Sequence, residues 1–185
     1  MIEGLADLLG IAEAALIMAF LVFLRVGSAM ALLPAFGEMM VPARVKLGLA
    51  VALAILVTPA VTPMIDLPAT QPFASAAAIE VVIGLAHGFA LRLFVFVLQI
   101  TGTIAAQATS LSQLFGGEAI DPQPALGVVL VLGGIALATM MGLHVRVVAM
   151  FIESYMHFPA GSAIPSNAAA DWAVTSVAHA FKLAV

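Results

Sequence analysis

From Phe73 to Phe115 the chain runs with only two charged residues, Glu80 and Arg92. No other stretch constrains the fold as strongly. It shows no period-2 alternation, so it reads as helix. As one straight helix it would be roughly 65 Å long at 1.5 Å per residue, about twice the thickness of a bilayer's hydrocarbon core. Such a helix must bend, fold back as a hairpin, or stand proud of the membrane. The rest of the chain has the same character. The residues AVILMFWYC make up 64% of the sequence and charged residues 9%, against about 25% charged in an ordinary soluble domain. Six Lys and Arg with ten Asp and Glu cannot cover a soluble surface, so lipid or partner protein must surround most of the chain. In 185 residues there is room for about four spans and part of a fifth, with none left for a sizeable catalytic domain.

Only helices and closed barrels satisfy every backbone group in lipid. The apolar segments are long and lack alternation, so the expected fold is all-α and polytopic, in a single domain over 1–185. The first segment is Ala14–Leu33, interrupted by Arg25. The connection Pro34–Lys46 follows, with Glu38, Pro42, Arg44 and Lys46. The second segment is Leu47–Val61, with Pro59 and Pro63 marking its end. The Thr62–Pro72 loop carries Asp66 and no cation. After the long third segment, Gly116-Gly117 and Asp121-Pro122-Gln123-Pro124 form a break. The fourth segment is Ala125–Ile152. Phe158–Asn167 is a loop, and a last helical pattern begins near Ala168. Its mainly apolar part, Ala173–Val185, is too short to cross the hydrocarbon, so the chain is expected to be C-terminally incomplete. Placement of Lys and Arg puts the Arg44 and Lys46 connection in the cytoplasm and the Thr62–Pro72 loop outside. At the N-terminus, Ala14–Leu24 and Ala29-Met30-Ala31 have the form of a signal peptide. The leader carries Glu3, Asp7 and Glu13 and no Lys or Arg, which argues for a retained first span.

Several function classes fall away. The net charge is −4 with no basic cluster, so there is no row of cations for nucleic acid. There is no cysteine, which excludes disulfides and thiolate chemistry. His87, His144, His157 and His179 form no metal spacing. No nucleophile elbow, phosphate loop or usable carboxylate pair is present, so neither cofactor nor catalytic residue is expected.

What stands out lies within the membrane. Glu80, Gly84, Gly88 and Arg92 are spaced by four, one row on a helix. Gly84 and Gly88 let another backbone approach closely. Glu80 and Arg92 are about 18 Å apart along the axis, too far to pair, so each, like Arg25, needs a partner on another helix. Gln99, Thr103, Gln107 and Ser110 form a polar stripe, suited to inter-helix hydrogen bonds or to the wall of an aqueous pore. Leu111, Leu114 and Phe115 are apolar residues ahead of a Gly116-Gly117 hinge.

The chain resembles the FliR/SctT family of type III export-gate proteins. The residues that carry this are Phe23-Leu24-Arg25, then Leu33-Pro34-Ala35-Phe36-Gly37 and Val41-Pro42-Ala43-Arg44-Val45-Lys46. The Glu80-Gly84-Gly88-Arg92 row follows, then Gln99, Gly102, Gln107 and Ser112, and Asp121-Pro122-Gln123. Gly142-Leu143-His144 and Ser154 ahead of Pro159-Ala160-Gly161 complete the set. Family members run on through further hydrophobic helices. The resemblance implies a structural channel subunit, not an enzyme, in the bacterial inner membrane at the flagellar basal body. It implies a fold of long helical hairpins and a helical export-gate assembly with FliP-like and FliQ-like subunits, raised toward the periplasm, with an FlhB-like protein at the cytoplasmic entrance. Unfolded substrates would pass through the core. The loop that plugs the closed channel corresponds to about Ser110–Asp121, here Ser110, Leu111, Ser112, Leu114, Phe115, Gly116 and Gly117. The alternatives are an SctT-type injectisome gate subunit and a secondary transporter. The transporter needs two related halves, and no internal repeat is present.

Overall fold

The computed structural model describes residues 2–33, 42–65, 71–108 and 125–162. Every regular element among these is helical: α1 (Ile2–Leu32), α2 (Ala43–Val61), a 3₁₀ turn (Thr62–Met64), α3 (Phe73–Ala108), α4 (Ala125–Met140) and α5 (Leu143–His157). The all-α expectation holds.

Helix α1 begins at Ile2, well before the apolar run that starts at Ala14. Helical hydrogen bonds close within the segment and need no apolar side chains, so the helix extends through the exposed turns that carry Asp7 and Glu13. Helix α2 starts where Pro42, in extended conformation, offers its carbonyl to the amides of Val45 and Lys46 at 2.9 and 3.3 Å. Pro59 lies inside the last turns of α2 and Pro63 in the 3₁₀ turn. The Pro59 ring removes one helical donor, and nearby Thr58 and Thr62 back-bond to the Ala54 and Thr58 carbonyls at 2.6 and 2.7 Å.

Helix α3 starts directly after Pro72, whose carbonyl accepts from Ser75 and Ala76. It runs unbroken for 36 residues, so no hairpin closes before Ala108. The Ala125–Ile152 segment, expected to be continuous, is instead two helices. Gly142 takes φ 80, the left-handed conformation at which helices end and which only glycine adopts cheaply. Its amide bonds Thr139, and its carbonyl opens α5 by accepting from Val145 and Arg146.

Among the described residues, three helical stretches are long and apolar enough to cross a membrane: Asp7–Leu32, Ala43–Met64 and Phe73–Ala105. The broken pair Gly127–Met140 with Leu143–His157 makes a fourth if counted as one span. Of the most apolar 18-residue window in each of the first three, only 11%, 22% and 22% is buried by the chain itself, which leaves apolar surface for lipid or other proteins to cover.

The chain divides into two compact units. The first is Met1–Phe89 with Val147–Ile164. Its core is built from Leu21, Val22, Val26 and Ala29 of α1, Ala50, Ala54, Val57 and Val61 of α2, Ala76 and Ile83 of α3, and Val147, Phe151 and Tyr155 of α5. The second unit is Ala90–Arg146 with Pro165–Val185. In it a Cβ at Gly134 of α4 would meet the Leu98 side chain of α3, and one at Gly127 would lie 3.9 Å from the Gln99 carbonyl. Val128, Val129, Leu132, Leu137 and Met140 are exposed along α4.

Candidate functional site

The first unit holds a charged centre sealed from solvent. Arg25 lies among Leu21, Val22, Val26 and Ala29, which one turn of helix brings to the same face of α1. Glu80 sits likewise with Ala76, Ile83 and Gly84 on α3. The glycines explain how the two helices come close enough. A Cβ on Gly84 would overlap Ser28 Oγ and the Arg25 carbonyl. One on Gly88 would lie 2.5 Å from the Ala29 carbonyl oxygen. The α1 backbone thus rests directly on the α3 glycine row.

At that contact the Arg25 guanidinium engages Glu80 with two nitrogens, Nε to Oε2 at 2.6 Å and Nη2 to Oε1 at 3.0 Å. Nη1 donates to Ser154 Oγ at 2.9 Å, and Nη2 also donates to the Phe158 carbonyl at 2.9 Å. The guanidinium carbon stands 3.6 Å from the centre of the Tyr155 ring. Glu80 is met from the other side: Tyr155 Oη donates to Oε2 at 3.2 Å and the Gly161 amide to Oε1 at 3.3 Å. Ser154 Oγ in turn donates a hydrogen bond to the Phe151 carbonyl at 2.7 Å. Arg25 and Glu80 are 0% exposed, Tyr155 1% and Ser154 4%.

Burying two charges costs several kcal/mol per ion unless geometry and extra hydrogen bonds offset it, on the order of 20 kcal/mol per ion in the idealised limit. Here every requirement is met: a bidentate pair, further donors on both carboxylate oxygens, and an aromatic face on the cation. Among the described residues no buried side-chain nitrogen or oxygen lacks a partner. The centre contains no nucleophile beside a free base. Its chemistry is architectural, joining α1, α3, α5 and the turn after α5.

Arg25 and Glu80, read from the sequence as charges in need of partner helices, meet each other from α1 and α3 of the same chain. A separation of 55 residues in sequence hides that pairing. Arg92, in the second unit, is half-buried with its guanidinium 5.5 Å from the Phe96 ring one turn along the same helix. Gly84 and Gly88 face α1 of their own chain. His87 beside them is satisfied inside α3, its Nδ1 bonding the Ile83 carbonyl at 2.8 Å. In the polar stripe, Gln99 and Thr103 are half-buried. The Thr103 hydroxyl sits 2.8 Å from both the Gln99 and Ile100 carbonyls of its own helix. The Gln107 side chain and the whole Ser110–Gly117 segment, with Leu111, Ser112, Leu114, Phe115 and Gly116, lie outside the described residues.

Sequence reasoning missed Tyr155, the Phe158 carbonyl, the Gly161 amide and Gln71, whose Nε2 donates to the Gly161 carbonyl, and took Ser154 and Pro159-Ala160-Gly161 only as marks of resemblance. The available signal was Gly161, which adopts φ 71. An open cleft of about 300 Å³ also lies in the first unit, lined by Phe23, Leu24, Met30, Leu47 and other mostly apolar side chains. It gathers no convergent polar groups of the kind a small-molecule site needs.

Comparison with known proteins places the chain in a family. The family profile described as bacterial export proteins, family 1, matches residues 16–185. The flagellar biosynthetic protein FliR of Caulobacter vibrioides is 36% identical over 171 residues, covering 90% of this chain and 68% of that protein. With a match of that extent over helices long enough to span a membrane, this chain belongs to the bacterial export proteins, family 1.

Proposed function

We propose that the chain is a structural channel subunit of a flagellar type III export gate, passing unfolded substrates across the inner membrane. The carrying observation is the match to FliR over 90% of the chain. The outward-facing apolar surface of its spans supports the same reading, because a gate subunit needs neighbours on most sides. The partners are FliP-like and FliQ-like subunits, with an FlhB-like protein at the cytoplasmic entrance. The complex sits at the basal body, raised toward the periplasm. Arg44 and Lys46 place the connection between α1 and α2 on the cytoplasmic side. Gln99 and Gln107 of the polar stripe line the path or bond neighbouring subunits, while the Thr103 hydroxyl between them is engaged by the Gln99 and Ile100 carbonyls of its own helix, and Ser110–Gly117 forms the plug. Apolar residues in a pore seal it by excluding water, here Leu111, Leu114 and Phe115.

Affinity purification from membranes tests the assembly. FliP-like and FliQ-like proteins are expected to co-purify with the tagged chain, and recovery of a well-behaved lone monomer would overturn the reading. Deleting Leu111–Gly117 tests the plug. The complex is expected to assemble and the membrane to leak small ions. An assembled deletion variant with no added conductance would remove the plug assignment and leave the subunit role standing.

A further inference from the structure

The turn that follows α5 is seated differently from the helices around it. The Ser162 amide donates to the Pro159 carbonyl at 3.0 Å, closing a tight turn with Gly161 at φ 71. Its outer side is exposed at Phe158 and Pro159. Its inward attachments are polar and end on side chains that arrive from far away in sequence. The Phe158 carbonyl accepts from Arg25, the Gly161 amide donates to Glu80, and the Gly161 carbonyl accepts from Gln71 Nε2 at 2.6 Å. The buried apolar side chain of the turn is Ala160, 4% exposed, and one methyl group is a small anchor. Helix α5 itself is seated in another way, by Val147, Phe151 and Tyr155. Loss of the turn's bonds therefore leaves the helix its own attachment.

We propose that Phe158–Ser162 is a strap that closes over the Arg25–Glu80 pair independently of the docking of α5. The fork of the Arg25 guanidinium, and not merely its charge, holds the strap shut. When closed, the strap seals the ion pair from solvent and fixes the direction in which the chain leaves α5. When open, it returns water to Arg25 and Glu80. Hydration offsets part of the lost bonding, and the two states lie within reach of each other. A lysine at position 25 keeps the positive charge opposite Glu80. Its single nitrogen cannot place two donors on the carboxylate while also reaching Ser154 Oγ and the Phe158 carbonyl. This inference concerns the chain's own folding and does not depend on what the gate exports.

The absence of native cysteine supplies a clean assay. Ala160→Cys places one thiol beneath the strap in the full chain, kept in native membranes with its partners. Its rate of reaction with N-ethylmaleimide, referred to the denatured protein, reports opening. In the parent background labelling is expected to be slow. Adding Arg25→Lys is expected to raise the rate roughly ten- to hundredfold, as expected for loss of a charge-assisted hydrogen bond. Adding Gln71→Ala, which leaves the ion pair untouched, is expected to raise it about fivefold, as for one neutral bond. Fast labelling in the parent, or Arg25→Lys labelled as slowly as the parent, overturns the proposal. Should Arg25→Lys fail to accumulate, the Gln71→Ala arm decides: no increase there overturns the strap, and the fivefold rise supports it.

Discussion

Among the described residues, the polar bonds of the two compact units differ in how far they reach. In the first, charges on α1 and α3 and polar groups on α5 and its turn are brought together and satisfied across the chain. In the second, the hydroxyls of Thr101, Thr103 and Thr139 each bond a carbonyl on their own helix, at Val97, Gln99 and Ile135. The helices there show exposed Phe94, Val129, Leu132, Leu137 and Met140. Cross-chain bonds over more than 50 residues make the first unit specific in its tertiary arrangement. The three hydroxyl bonds described in the second stay within one helix, and apolar side chains are exposed beside them. The contrast predicts that substitutions in the first unit act on the fold of the subunit, and those in the second on what surrounds it.

The largest expected effect comes from breaking the buried pair. Glu80→Ala leaves the Arg25 guanidinium desolvated without its counter-ion, and such a change typically costs about 3–5 kcal/mol. The variant is expected to be nearly lost from membranes by immunoblot. Arg25→Met combined with Glu80→Leu removes both charges and should recover part of that loss. Recovery stays incomplete because Tyr155 Oη, the Phe158 carbonyl and the Gly161 amide lose their partners. A Glu80→Ala subunit that accumulates normally and melts with the parent would mean that the first unit is not held together by this centre.

Glycines provide the next test, since tightly packed glycines occur in both units, Gly84 and Gly88 in the first and Gly134 in the second. At Gly84 an added Cβ meets the α1 backbone at Arg25, which cannot give way, as well as Ser28 Oγ. At Gly134 it meets only the end of the Leu98 side chain, which can rotate. Gly84→Ala is expected to cost about 1–3 kcal/mol as overpacking, and Gly84→Leu to abolish accumulation. Gly134→Ala is expected to stay within about 1 kcal/mol, because helix propensity gained by alanine offsets the rearrangement. Thermal melting of the purified complex compares them directly. Equal costs at the two positions would erase the distinction between the units.

How much of this was legible depends on the range of the interaction. The spans read directly from apolar runs, and the start of α3 from Pro72, because both signals are local. Arg25, Glu80 and the glycine row were visible as residues in need of company. That Arg25 meets Glu80, and that Tyr155, Phe158 and Gly161 complete the site, depends on contacts over 55 to 133 residues, which no local pattern encodes. The break at Gly142 was hidden for another reason. Gly133 and Gly134 nearby sit in unbroken helix, so composition alone does not say which glycine turns left-handed. The plug residues fall between α3 and α4, outside the described residues, and their role rests on resemblance.

The smallest expected effect lies in the polar stripe, and it tests the second unit most sharply. If Thr103 bonds only its own helix, its hydroxyl is a local back-bond of a kind that contributes little and slightly favours bending. Valine has nearly the same shape and tolerates the helix at a similar propensity. It also removes the donor without creating an unpaired buried group, because the Gln99 and Ile100 carbonyls keep their main-chain helical partners. Thr103→Val should therefore change stability by no more than about 0.5 kcal/mol, the range of substitutions that touch no special feature. Export of a secreted reporter should stay within about twofold of the parent, since 0.4 kcal/mol corresponds to a factor of roughly two. A much larger loss of export with unchanged assembly would show that the hydroxyl acts outside its helix, on water or substrate in a pore. A loss of assembly would show instead that it reaches another subunit. Either result would mean that the second unit carries cross-chain polar wiring of its own, and the contrast with the first would fail.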